Sequence, residues 1–133
     1  MIQYIALYLL TVPVFFAIDL LWLGVFAKNF YQTQLADFLG PVNWTPAIIF
    51  YLLFIVGIIV FAVLPALEAG NVMKAMLLGA LFGAMAYATY DLTNMATLKD
   101  WPLIVVVVDI TWGALLSGSV ATASFYIGRY LGL

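Results

Sequence analysis

Three aspartates lie inside apolar stretches of this sequence, where an acidic side chain needs an explanation. Asp19 lies in AIDLLW, Asp91 in TYDLTN and Asp109 in VVDITW. An acid at the centre of a membrane span costs about 2.5–3.5 kcal/mol on insertion scales, so such residues usually face the interior of a helix bundle or water. The three acids therefore indicate a site for a cation, a protonated amine or a proton.

The rest of the chain is too apolar for a water-soluble domain. Of its 133 residues, 68% are hydrophobic and 8% are charged, whereas soluble domains are about 45–50% apolar and roughly 25% charged. A spanning helix needs about 20 apolar residues, and we expect spans at about 2–27, 46–64, 72–98 and 102–130. The sequence predicts an all-α protein, a four-transmembrane-helix bundle that forms a single membrane domain over residues 1–133.

Matching segments in the two halves of the chain indicate a duplicated hairpin. IDLLW, a lysine and NWTP lead into the second span, and YDLTN followed by KDWP leads into the fourth. Both hairpins would run in the same direction, so this pattern favours two tandem helical hairpins.

The longest polar stretch, KNFYQTQLADFLGPVNWT, follows the first span. We expect a short interfacial helix within it. Its side towards the lipid headgroups would carry Phe30, Tyr31, Leu35 and Phe38. Trp44 and Trp101 are predicted to anchor the chain at the membrane–water interface, where tryptophan is enriched.

Small residues repeat every four positions in the third and fourth spans. The two stripes are Ala75, Gly79 and Gly83, and then Gly113, Ser117 and Ala121. A spacing of four keeps residues on one helix face, and small residues let membrane helices pack closely. An antiparallel hairpin packed on these stripes would bring Asp91 near Asp109.

Depth and spacing place aromatic side chains around the acids. At 1.5 Å per residue, each acid lies roughly 10–14 Å from the membrane face that carries the first and third loops. Each tryptophan of DLLW and DITW follows its acid by one helical turn. The predicted ligand-binding residues are Asp19, Asp91, Asp109, Trp22, Trp112, Tyr87, Tyr90 and Asn94. Carboxylates sharing a low-dielectric site cannot all be ionised, so at least one should hold a proton.

Composition excludes several kinds of chemistry. The chain has no histidine and no cysteine, which removes thiol nucleophiles and the usual zinc and haem ligands. The net charge of −2, without a basic patch, argues against nucleic acid. No metal ligands, catalytic residues or cofactor are predicted, although three acids could hold a divalent cation through oxygen. The expected partners are the lipid bilayer and a small-molecule ligand.

Several motifs together resemble a known family. They are DLLWLG, KNFY, FYLLF, VLPAL, GALFG, AYATYDLTN, ATLKDWP and VVDITWG. With them, nearly the whole chain resembles the bacterial membrane proteins grouped as domain of unknown function 2177. The resemblance implies a small multi-pass protein of the bacterial inner membrane, and it transfers no site residues.

Three functions remain open from the sequence. The favoured hypothesis is a membrane protein whose carboxylate and aromatic pocket binds or transports a small cationic or protonatable solute. Because four helices are few for a transporter, this hypothesis predicts a homo-oligomer. The first alternative is a membrane enzyme that performs acid–base chemistry on a lipid or apolar substrate. The second is a structural or assembly protein whose acids only stabilise helix packing.

Overall fold

The chain folds entirely into helices. The computed structural model describes residues 1–133 and contains no strand. By length and composition, four helices can cross a membrane: α1 (Ile2–Phe26), α3 (Trp44–Ala69), α4 (Val72–Thr97) and α5 (Leu103–Tyr130). A short helix, α2 (Lys28–Gln34), follows α1. The predicted all-α protein with four spans is confirmed.

Helices pair the backbone N–H and C=O groups where no water is available, and a short capped turn joins α3 to α4. Within lipid every N–H and C=O must find a partner inside the chain, which a helix provides even for the valine-rich start of α5. Gly70 ends α3 in a left-handed conformation at φ 65°, which glycine adopts without strain. The Asn71 side chain then accepts a hydrogen bond of 3.0 Å from the Met73 N–H. The turn between α3 and α4 is therefore tight.

The most extensive interface in the bundle is between α4 and α5. A methyl group added at Gly79 would lie 2.6 Å from the Ala121 Cβ and 2.7 Å from the Ser117 carbonyl oxygen. One added at Gly83 would overlap the Gly113 carbonyl oxygen. The two small-residue stripes therefore face each other, and the backbones approach as closely as the missing side chains allow.

The first hairpin is looser than the second. Helix α1 makes more contacts with α5 than with α3, and the buried Thr11 and Ser124 hydroxyls lie 2.8 Å apart across that interface. Helices α1 and α3 meet through aromatic rings, among them Phe15, whose centroid is 5.5 Å from that of Tyr51 and 5.9 Å from that of Phe54.

Helix α3 packs on α4 unevenly along its length. The π-helical turn at Ile59–Val63 contacts α4 closely, whereas the preceding Trp44–Ile58 segment contacts it at few points. The two helices are thus held together in the second half of α3 and separate towards the loop that contains α2. This wedge-shaped gap provides the space for the candidate site.

The contact at Gly83 offers a test of the fold. We expect Gly83→Ala to lower the free energy of unfolding by about 1–3 kcal/mol, because the new methyl meets backbone that cannot move aside. Gly24→Ala is the matched control, since nothing lies within 4 Å of its added methyl. Unfolding in mixed micelles, followed by circular dichroism, measures both changes. Equal stability of the two variants would contradict the close packing of α4 against α5 at Gly83.

Candidate functional site

A cavity of about 920 Å³ occupies the gap between α3 and α4. Its wall includes residues from all five helices and from the loop after α2, and most of them are apolar or aromatic. Two carboxylates, Asp19 and Asp109, are part of this wall. Lys28 is the one cationic side chain among the lining residues. The cavity is therefore a mainly apolar chamber with a small number of ionisable groups.

A hydrogen bond from α5 holds the Asp19 side chain of α1 in place. This side chain is 3% exposed, and its Oδ1 accepts a hydrogen bond of 3.2 Å from the Trp112 Nε1. The Tyr51 hydroxyl of α3 lies beside the same carboxylate. Three helices thus meet at this acid.

Two stacked indoles connect Asp19 to the second acid. The Trp22 and Trp112 rings lie 4.6 Å apart between centroids, with 12° between their planes. The Trp22 Nε1 donates to the Tyr31 hydroxyl at 3.3 Å, and that hydroxyl donates to the Asp109 Oδ1. A continuous chain of contacts therefore leads from Asp19 to Asp109.

The hydroxyl that donates to Asp109 belongs to Tyr31, which lies outside the four membrane-spanning helices. It lies on α2, which returns over the cavity after the π-helical turn at the end of α1. Burial, and then its hydrogen bond to Asp109, raise the pKa of Tyr31 above the ordinary tyrosine value. The hydroxyl accordingly keeps its proton and remains a donor to Asp109.

Asp91 lies behind the cavity and does not line it. The side chain is 0% exposed, and neither carboxyl oxygen has a hydrogen-bond partner. Its neighbours are the carboxyl group of Asp109 and the indole of Trp101. Asp91 shares the helix face of Gly83, which packs against α5, so its side chain is directed into the helix interface.

Of the other predicted ligand-binding residues, some line the cavity and one lies outside its wall. Tyr87 and Tyr90 line the cavity, and the Tyr87 ring occupies space left by Gly113, where an added methyl would lie 2.5 Å from it. Asn94 is outside the wall and lies beside the Tyr90 hydroxyl. The cavity therefore brings together Asp19, Asp109, Trp22, Trp112, Tyr87 and Tyr90, but neither Asp91 nor Asn94.

The three acids do not lie together as one cluster. No group of three acidic side chains is close enough to hold a metal ion. The reason is their arrangement: Asp91 adjoins Asp109, whereas Asp19 is connected to that pair through two tryptophans and a tyrosine.

Sequence reasoning missed four inward-facing residues. Tyr31 was expected at the lipid headgroups and Trp101 at the interface. The expectation for Tyr31 was wrong, because its hydroxyl donates to Asp109. Trp101 is only 7% exposed and lies beside Asp91. Leu35 also turns inward, at 7% exposed. One feature of the sequence could have identified Tyr51 as a site residue: a hydroxyl within an apolar span needs a hydrogen-bond partner.

Replacing Tyr31 tests whether α2 is held by this hydrogen bond. Tyr31→Phe leaves Asp109 without its donor, and we expect a loss of about 1–3 kcal/mol in the free energy of unfolding, because a buried polar group becomes unpaired. Tryptophan emission should also change, since Trp22 loses its acceptor. Tyr126→Phe, at an exposed position on α5, serves as the control. An unchanged unfolding curve for Tyr31→Phe would show that the contact contributes nothing.

Comparisons with known proteins place the chain in a family. No curated protein and no solved structure matches it. The family described as "Predicted membrane protein (DUF2177)" matches residues 4–126, which include every residue of the cavity wall. The chain therefore belongs to the DUF2177 family of predicted membrane proteins.

Proposed function

We propose that the cavity binds a lipophilic cation or a protonated amphiphilic amine from the membrane. The observation that carries the proposal is the pair of buried carboxylates, Asp19 and Asp109, in the wall of a large aromatic chamber. Buried acids in membranes commonly mark the path of an ion or a substrate. Lys28 is the one cationic side chain in the wall. A cation bound next to the two acids would supply a further positive charge to pair with them.

The aromatic wall favours a cation over a neutral ligand. Trp22 and Trp112 stack beside the acids, and tyrosines surround them on α3 and α4. The face of an aromatic ring attracts cations by about 0.5–1 kcal/mol at exposed sites and by about 2 kcal/mol or more when desolvated. A ligand with aromatic or aliphatic groups around its charge would contact both kinds of wall at once.

The separation of α3 from α4 supports entry from the bilayer. Ala47 and Phe50 line the cavity on the α3 side, and Thr89, Tyr90 and Thr93 line it on the α4 side. Phe50 is 47% exposed and Tyr90 is 56% exposed, so both sides of the gap extend to the lipid-facing surface. Each threonine hydroxyl bonds to a carbonyl of its own helix, which makes it compatible with lipid.

Charge selectivity provides the first test. We expect tetraphenylphosphonium to bind to the purified protein, and tetraphenylborate, which has the same shape and the opposite charge, not to bind. Asp109→Asn should weaken tetraphenylphosphonium binding roughly 30-fold or more, since truncating one partner of a buried charge pair costs about 2–5 kcal/mol. Isothermal titration calorimetry measures these affinities.

Asp37→Asn is the matched control for that substitution. It removes a carboxylate from the exposed loop after α2, outside the cavity wall, and should leave the affinity unchanged. Equal affinity for the cation and the anion, or equal weakening by both substitutions, would refute a carboxylate-based cation site.

Blocking the gap provides the second test. Ala47→Trp places a large ring in the wall between α3 and α4, and we expect it to abolish probe binding. Ile48→Trp adds the same ring at the next residue, which is 44% exposed and outside the wall, so this variant should bind normally. If both variants bind the probe as the wild type does, the ligand does not occupy this cavity.

A further inference from the structure

Asp91 is the one buried acid that the proposed binding site leaves without a role. It is 0% exposed and does not line the cavity, and both its oxygens lack a hydrogen-bond partner. An ionised carboxylate in such surroundings is strongly disfavoured unless a charge or a donor compensates it. The neighbouring carboxyl group of Asp109 offers no donor while both acids are ionised. A proton carried by one of the two acids would supply that donor and remove this penalty.

The groups around Asp91 allow it to change its protonation state. Asp109 faces it from α5, and Trp101 faces it from the segment before α5. The Trp101 Nε1 is itself buried without an acceptor, so an unsatisfied donor stands beside an unsatisfied acceptor. Tyr31 on α2 and Tyr90 on α4 are the other titratable neighbours. The one cationic side chain on the cavity wall is Lys28.

We propose that Asp91 and Asp109 hold one proton between them in the empty protein and release it when a cation binds at Asp109. This inference rests on the proposed function. The bound cation replaces the charge of the proton, so the total charge of site and ligand stays constant. Asp91 then remains ionised, with the Trp101 N–H available as its donor, and the proton leaves through Asp109 to the cavity and water. The protein would thus exchange one proton for one cation.

The proposed exchange predicts how many protons the protein releases when it binds a cation. Titration calorimetry with tetraphenylphosphonium, in buffers of different ionisation enthalpy at pH 6–8, measures the protons released. We expect about one proton per bound probe within part of this range, and an affinity that rises with pH, up to about tenfold per unit. Release occurs because only the form of the pair without the proton accommodates the cation.

Asp91→Asn separates this role from binding itself. The amide has nearly the same shape and no proton to release, while Asp109 keeps its charge. We expect this variant to bind the probe with no proton release and with an affinity independent of pH. Asp37→Asn, the loop control, should release protons as the wild type does. Trp101→Phe, which removes the donor for ionised Asp91, should move the pH range of release upward.

The outcomes distinguish the two proposals. If the wild type binds no tetraphenylphosphonium, the proposed function fails and the exchange fails with it. If the wild type binds the probe without releasing protons, the exchange alone is overturned, whether or not the Asp91 variant folds. Unchanged proton release in Asp91→Asn would overturn it as well, because the proton would then come from another group.

Discussion

The close approach of α4 and α5 sets the positions of the acids and of the aromatic rings around them. At Gly83 and Gly113 the two backbones meet with no side chain between them. In lipid there is little hydrophobic gain from associating helices, so tight packing of small residues is what holds them together. The same stripe ends in Asp91 and Asp109, and the approach of the backbones therefore makes these two carboxyl groups neighbours. It also leaves room over Gly113 for the Tyr87 ring.

The unequal packing of the other helices creates the chamber. Helix α3 is held against α4 near its π-helical turn and diverges from it towards the first loop. A uniformly packed bundle of this size would bury the same acids with no space beside them. Here the aromatic rings of α1, α3 and α5 line the gap, and α2 covers it through the contact of Tyr31 with Asp109. The tightest packing and the open cavity thus belong to different pairs of helices.

Asp19 and Asp109 belong to one connected set of interior polar and aromatic groups. Asp19 is bonded to Trp112, Trp112 stacks on Trp22, and Tyr31 joins Trp22 to Asp109. Within a medium of low dielectric, each of these groups is costly when unpaired, and each interaction is stronger than it would be in water. Tyr31 therefore links the position of α2 to Asp109.

From the sequence we could predict the four spans, the packing face of the second hairpin and six of the residues in the cavity wall. Apolar run lengths and a four-residue repeat carry that information, because they follow from helix geometry alone. The remaining features depend on how the helices pack in three dimensions. The direction of Tyr31 depends on how a short helix is rotated by its contacts, and nothing in its own sequence fixes that rotation. The burial of Trp101 and the position of Asp91 behind the wall likewise follow from how far each helix turns about its axis, which only its packing partners set.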